Sequence, residues 1–396
     1  MLPVLSSSPF RLLNFLSMSE IVEQVVARRS PLDDVYRRLG AEMFERDGWL
    51  LPAFFSDVAA EYTAVREGGA GLIDLSSRGR VRVSGAEAVQ FLNGLVTNDV
   101  KALSVGEWMT AAFPNAQGRL LAFARVIHQE EGFLFDTEAA TAERVFKTLE
   151  RFTLAGDFRV AEMTNKIAML SLQGARAGAI LGATLGEEAA RVERGCVSVG
   201  RWQERSVSVI RATHTGEDGF DLFISAEDAA PLFEALVQAG ARPVGFDALE
   251  TLRIEAGQPR HNVDMDESNV VLETGLDEAV SYTKGCYIGQ EIIARIHWRG
   301  HVAKRLAGLS FEDDRAIPAG TKVRTPDGKD VGRVTSSAFS PRMGKQVALA
   351  YVKYDYLAPG TEVRVSVDGD DERAALVCEL PFVSGSWSAD TKSAET

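Results

Sequence analysis

The chain has 396 residues, which at about 150 residues per domain implies two or three domains and excludes a small disulfide-held scaffold. Hydrophobic residues make up 45% and charged residues 25%, the balance of a folded globular chain and not of a disordered or fibrous one. A formal charge of -13 repels phosphate backbones, so nonspecific nucleic-acid binding is not expected.

The longest charge-free stretches, Ala88 to Asn98 and Trp108 to Gly118, fall short of the roughly 20 apolar residues that span a bilayer. No transmembrane helix and no membrane partner are predicted. Cys196, Cys286 and Cys378 lie far apart without a CxxC pair, so no metal site is predicted and a reducing, cytoplasmic setting is the default. Met1 to Ser17 makes a poor signal peptide, and residues 1–29 read as a disordered leader.

Ser30-Pro31-Leu32-Asp33 reads as N-cap, first-turn proline and acid, and Gly40 as the stop of a short helix. Gly71 to Val83 turns β-like, and Ser84 precedes a helix with Ala88, Phe91, Leu92 and Leu95 on one face. Leu120 to Ile127 and Gly132 to Asp136 form a predicted hairpin, followed by a helix from Thr141 to Phe152 and a strand from Lys166 to Leu172. Further helices are predicted from Glu227 through Leu236 and from Phe246 to Ala256. Thr215 to Asp221 reads as a glycine-bounded hairpin turn and Glu250 with Arg253 as a surface ion pair. Beyond His301 six short strand-like runs separated by turn residues predict a small antiparallel barrel. The predicted units are residues 30–302, a body of two interleaved α+β subdomains, residues 303–384, the barrel, and residues 385–396, a frayed polar tail.

The densest stretch is Tyr282-Thr283-Lys284-Gly285-Cys286-Tyr287-Ile288-Gly289-Gln290-Glu291, leading into a helical run from Ile292 to Ile296. A cysteine two residues after a lysine and just before a helix sits where ammonium and backbone N–H groups favour thiolate. Gly285 and Gly289 suit a backbone approached closely by a ligand. His261, His297 and His301 are near in sequence, but no cysteine–histidine dyad can be assigned, and the His297/His301 spacing lacks the glutamate of a zincin. Arg295, His297, Arg299, His301, Lys304 and Arg305 form a basic run that reads either as a solvated face, the usual case, or as a receiver of a carboxylate-rich ligand.

Taken together these pieces resemble the glycine-cleavage T-protein superfamily of tetrahydrofolate-binding proteins. The resemblance runs from about residue 36 to 380 and is carried by Arg66-Glu67-Gly68, Gly71-Leu72-Ile73-Asp74-Leu75-Ser76, Thr97-Asn98-Asp99-Val100, Ser171-Leu172-Gln173-Gly174, Thr215-Gly216-Glu217-Asp218-Gly219 and Leu252-Arg253-Ile254-Glu255-Ala256-Gly257. Lys284 to Glu291 resembles the signature of the YgfZ branch, folate-dependent proteins that support iron–sulfur cluster assembly or repair. Aminomethyltransferases of the superfamily carry Gly-Gly-x-x-Asp-Asp where this chain reads Gln117-Gly118-Arg119-Leu120-Leu121-Ala122, and a leucine and an alanine cannot stabilise charge at a reacting amine.

The resemblance implies an α+β fold of three subdomains around a central folate channel, with a C-terminal antiparallel β-barrel and the Cys286 loop facing the folate. It implies tetrahydrofolate or a derivative as cofactor, the pterin near Asp221, Arg253 and Asn115, and contacts from Tyr287, Gln290 and Arg295. Cys286 with Lys284 would carry the function, and iron–sulfur client enzymes or their assembly machinery would be the partners. The alternative it implies is an aminomethyl or methyl transferase.

Overall fold

Two β-sheets backed by helices, followed by a closed barrel, make up the computed structural model, which describes residues 27–154, 156–367 and 371–388. The expected leader lies outside these residues up to position 26. Arg28–Arg29 pairs in parallel with Trp49 and Leu50 in a small three-stranded sheet. No helix among the described residues is long and apolar enough to cross a membrane.

The first large sheet has the order Val197–Trp202, Arg205–Arg211, Gly219–Ser225, Ile167–Gln173, Gly71–Asp74, Arg242–Pro243. The second has the order Trp108–Pro114, Leu120–Gln129, Gly132–Thr137, Gly79–Ser84, Arg159–Glu162. The chain leaves the first sheet after Asp74, builds the second, and returns at Ile167, so the two are interleaved.

Strand alternation explains how they pack, because successive side chains point to opposite faces. Along Ile167–Gln173, Ala168, Leu170 and Leu172 join a core with the helices Asp33–Leu39, Ala177–Leu185 and Ala229–Gln238. Met169, pointing the other way, joins a core that also holds Ile127 and Leu134 of the second sheet. Each fully buried Leu or Ile here stabilises by about 1.5–3 kcal/mol. The second sheet covers its outer face with Leu92 and Leu95 of the helix Ala88–Leu95 and Val145 and Leu149 of the helix Ala139–Glu150.

Gly40 ends the first helix as expected, at φ 70°, a left-handed conformation that costs glycine little. The start differs from expectation. Leu32, not Ser30, occupies the N-cap; the Ser30 hydroxyl donates to the buried Asp74 carboxylate while its oxygen accepts the Leu32 N–H at 3.2 Å.

The barrel closes in the order Lys304–Phe311, Lys345–Lys353, Asp330–Ser340, Lys322–Arg324, Glu362–Val367, Asp371–Cys378. A bulge between Val334 and Ser336 leaves one residue without a partner and turns local side chains outward. Here Thr335 and Ser336 both donate their hydroxyls to the buried Asp264, Thr335 at 2.6 Å. Ser340 at the same strand's end donates to Glu255 of the helix Phe246–Glu255. The barrel is therefore fixed to the body by buried carboxylates. The chain beyond Gly385 is not frayed throughout. Ser386 donates its N–H and hydroxyl to Glu217 at 2.9 and 2.6 Å, and Trp387 stacks under the Arg194 guanidinium at 3.7 Å. Residues 389–396 lie outside the described residues.

Candidate functional site

Where the two sheets, the helix Phe246–Glu255 and the barrel meet, a cavity of about 1200 Å³ is lined by Trp108, Phe123, Glu138, His214, Arg253 and Arg260 among others. That is somewhat larger than the roughly 300–1,000 Å³ that small-molecule sites occupy. Two of its walls carry buried N–H groups, Trp108 Nε1 and Arg253 Nε, that have no acceptor among the described residues. A buried donor left unpaired costs about 1–3 kcal/mol, so the site favours a ligand that brings acceptors.

Arg253 lies on the cavity wall, and its pair with Glu250 is not a surface one. The arginine is 4% exposed and is held by Asp264, Glu250 and the Gln258 carbonyl, the last at 3.1 Å. Arg260 adds a second cation on Glu250 at 2.6 Å. Burial pushes the Glu250 carboxyl up, but Arg253 and Arg260 outweigh it and hold the group at about 2. A carboxyl depressed in the folded chain contributes stability above its ordinary value near 4.5 that is lost as pH falls toward 2. The fall in urea midpoint between about pH 4.5 and 2.5 should accordingly be shallower in Glu250→Gln than in the natural chain, and equal slopes would contradict the pairing.

Asp221 stands differently from the expectation that it meets a pterin. It is fully buried and is not part of the cavity lining. Arg125 Nη1 binds it from the second sheet, and His214 Nε2 lies 2.9 Å from its Oδ2. Burial pushes its carboxyl up, but His214 and Arg125 prevail and hold it well below the carboxylate range. Arg125 also grips Asp136 through Nε and Nη2 at 2.9 and 2.7 Å, and Arg78 reaches the same carboxylate at 2.8 Å. His214, Asp221, Arg125 and Asp136 thus form a chain of polar contacts from the cavity wall through the junction of the sheets. The sequence reading missed His214, Arg125 and Glu138. The signals were an arginine amid the apolar run Leu120 to Ile127, facing Asp136 in register, and a histidine and an aspartate flanking one hairpin turn.

Glu138 precedes the helix Ala139–Glu150, and its oxygens accept the His261 N–H at 3.2 and 3.1 Å. Burial raises its carboxyl, with Arg78 and Arg260 offsetting part of the rise. It is a carboxyl on a wall to which the second sheet also brings Trp108, Met109, Thr110, Phe123 and Arg125.

The other expected residues are not brought to the cavity. Asn115 is a turn former, its Oδ1 accepting from Gln117 N and Arg119 N at 2.9 and 3.0 Å. Lys284 is buried and spends its ammonium on the Val96 and Asn98 carbonyls, the first at 2.9 Å, where the helix Ala88–Leu95 has just ended. Burial pushes it down to about 8. Its charge therefore serves these carbonyls and not Cys286, which is exposed. Tyr287 is packed in a core with Leu120, Val271 and Ile293, and burial raises its hydroxyl to about 12. Gln290 opens the helix Gln290–Arg299, and Arg295 is exposed, paired with Glu291 at 2.7 Å. Of the basic run only Arg305 is in the lining. His297 and His301 are stacked on Tyr282 and Tyr354 at 3.7 and 3.8 Å, and His261 is buried, its imidazole held down to about 4 by burial. Among the described residues no three His, Cys, Asp or Glu side chains cluster as a metal site would require.

The family models describing the GCVT N-terminal domain and the glycine cleavage T-protein C-terminal barrel domain match residues 32–284 and 304–384. The chain belongs to the glycine-cleavage T-protein family. It is similar to the aminomethyltransferase of Geobacillus kaustophilus (35% identity, 90% of this chain and 98% of that protein) and to that of Thermus thermophilus (34%, 90% and 99%). The crystal structure of glycine cleavage system aminomethyltransferase T from Bartonella henselae superposes with a TM-score of 0.82 at 26% identity, over 90% of this chain and 98% of that one. The T-protein architecture expected from the sequence, with its closed C-terminal barrel, is the one observed. The match is to the superfamily and its aminomethyltransferases, and the narrower YgfZ assignment does not follow from it.

Proposed function

We propose that this T-protein family member is a tetrahydrofolate-dependent one-carbon transferase of the aminomethyltransferase type, acting in the central cavity. The observation that carries the reading is the cavity wall itself. Arg253, Arg260 and Arg305 bring guanidinium groups, each already ion-paired, to the wall of a chain of -13, Trp108 and Phe123 offer flat apolar surface, and two buried N–H groups await acceptors. Such a wall suits a ligand with an aromatic ring system, many acceptors and carboxylates, which is the chemical make-up of a folate. When bound, tetrahydrofolate supplies the nitrogen that accepts or donates the one-carbon unit. Arg253 would hold ligand acceptors, and the barrel, tied on through Asp264, would keep Arg253 in place. Calorimetry with tetrahydrofolate should give binding in the micromolar range, weakened at least about tenfold in Arg253→Lys. A panel of aminomethyl and methyl donors should give turnover above background, and binding without turnover on any donor would remove the transferase reading.

One observation favours a second reading, a folate-binding accessory role for iron–sulfur enzymes. Cys286 is an exposed thiol outside the cavity lining. If that role is right, Cys286→Ala should fail to restore iron–sulfur enzyme activity in a strain lacking the gene while keeping its thermal midpoint. Full restoration would remove the role.

A further inference from the structure

The second sheet offers no carboxylate at Leu121 or Ala122, yet one-carbon transfer between nitrogens requires a proton to leave one and reach another. His214 lies on the cavity wall, its side chain 18% exposed. Its Nε2 faces Asp221 Oδ2 at 2.9 Å. Asp221 is fully buried and ion-paired to Arg125, so it remains an acceptor and fixes the proton of a neutral His214 on Nε2. Nδ1 then carries the lone pair, and it has no hydrogen-bond partner among the described residues.

The ring is further held by its own backbone, whose N–H donates to Gln173 Oε1 at 3.0 Å. Gln173 in turn donates to Ser171 and to the Ala212 carbonyl, both at 3.0 Å. An imidazole with one nitrogen anchored to a buried carboxylate and the other free at a cavity is the arrangement a general base requires.

We propose that His214 is the proton-transfer residue of this cavity and that Asp221 is its positioning residue, in place of the missing aspartate pair. The inference rests on the one-carbon transferase reading. His214 Nδ1 takes the proton from the nitrogen that forms the new bond to carbon, holds it as imidazolium opposite Asp221, and returns it to the nitrogen that departs with the bonding electron pair. Nothing is oxidised or reduced, and the proton count closes within one turnover.

The test has two arms. Nitrogen NMR of the ligand-free protein with labelled histidine should show His214 protonated on Nε2 with Nδ1 bare, a preference lost in Asp221→Asn. A neutral His214 protonated on Nδ1 in the natural chain overturns the proposal whether or not the variant folds. In the second arm His214→Ala should bind tetrahydrofolate within about threefold of the natural chain while transfer falls about 100-fold or more, with partial rescue by added imidazole. Asp221→Asn should lose on the order of 10-fold or more in transfer. Unchanged transfer in His214→Ala overturns the proposal. If the natural chain itself transfers nothing, the transferase reading falls and the tautomer measurement alone decides the Asp221–His214 pair.

Discussion

Replacing Arg125 by methionine should lower the unfolding free energy by about 3–5 kcal/mol, the loss expected when one partner of a buried ion pair is removed and the other charge stays behind. Here two charges stay behind. Arg125 is the shared cation of Asp136 and Asp221, each without solvent exposure, and one guanidinium joins Leu120–Gln129 of the second sheet to Gly219–Ser225 of the first. Arg78 still reaches Asp136 in the variant, whereas Asp221 loses its guanidinium and keeps the His214 Nε2 contact at 2.9 Å. Adding Asp221→Asn to Arg125→Met should therefore restore part of the loss, with a coupling of about 1 kcal/mol or more between the two sites. Urea titration of the four chains measures it. A loss below about 1 kcal/mol in Arg125→Met would mean that water or another donor reaches the carboxylates, and the inter-sheet bridge would have to be abandoned.

Gly289→Ala should cost roughly 2–4 kcal/mol, and Gly285→Ala, four residues away, should change stability by no more than about 0.5 kcal/mol. Gly289 has φ 79°, and a Cβ there would meet the Asn115 carbonyl oxygen at 2.4 Å and Gly118 Cα at 3.1 Å. Neither obstacle is the end of a flexible side chain. At Gly285 a Cβ meets nothing within 4 Å. Thermal or urea midpoints of the two variants separate the two glycines of the Lys284–Glu291 stretch. One holds the segment against the Asn115–Gly118 turn, while the other faces open space. Equal costs would contradict that packing.

These two comparisons show how much of the site was legible in the residues. The short helix ended by Gly40, the hairpin of Leu120–Gln129 and Gly132–Thr137, and the barrel strands Lys322–Arg324 and Glu362–Val367 emerge where periodicity and turn chemistry place them, because those signals act over a few residues. The longest barrel strand, Asp330–Ser340, is harder to delimit from sequence, since a bulge interrupts its alternation. The Lys284–Glu291 stretch carries dense chemistry in sequence, yet Lys284 turns to the Val96 and Asn98 carbonyls and Tyr287 into a core. A lysine's sequence neighbour says little about what its ammonium reaches, since four rotatable bonds and a buried carbonyl decide that. Asp221, expected beside a pterin, is instead buried against Arg125, which lies 96 residues earlier in the chain.

What the sequence determined by itself is the class of the molecule: a multi-domain acidic chain, a mixed α and β body followed by an antiparallel barrel, and the T-protein superfamily resemblance. Composition, strand period and turn residues carry that information locally, and so survive without coordinates. Apart from neighbours on one helix turn such as Glu250 and Arg253, tertiary structure decided which charges meet. The basic run from Arg295 to Arg305 was the obvious counterpoint to a net charge of -13, but only Arg305 of that run reaches the cavity, alongside Arg253 and Arg260 from elsewhere in the chain. Coulomb energy depends on separation in space and on the dielectric between the groups, and neither can be read from positions along the chain until the two sheets and the barrel have closed around them.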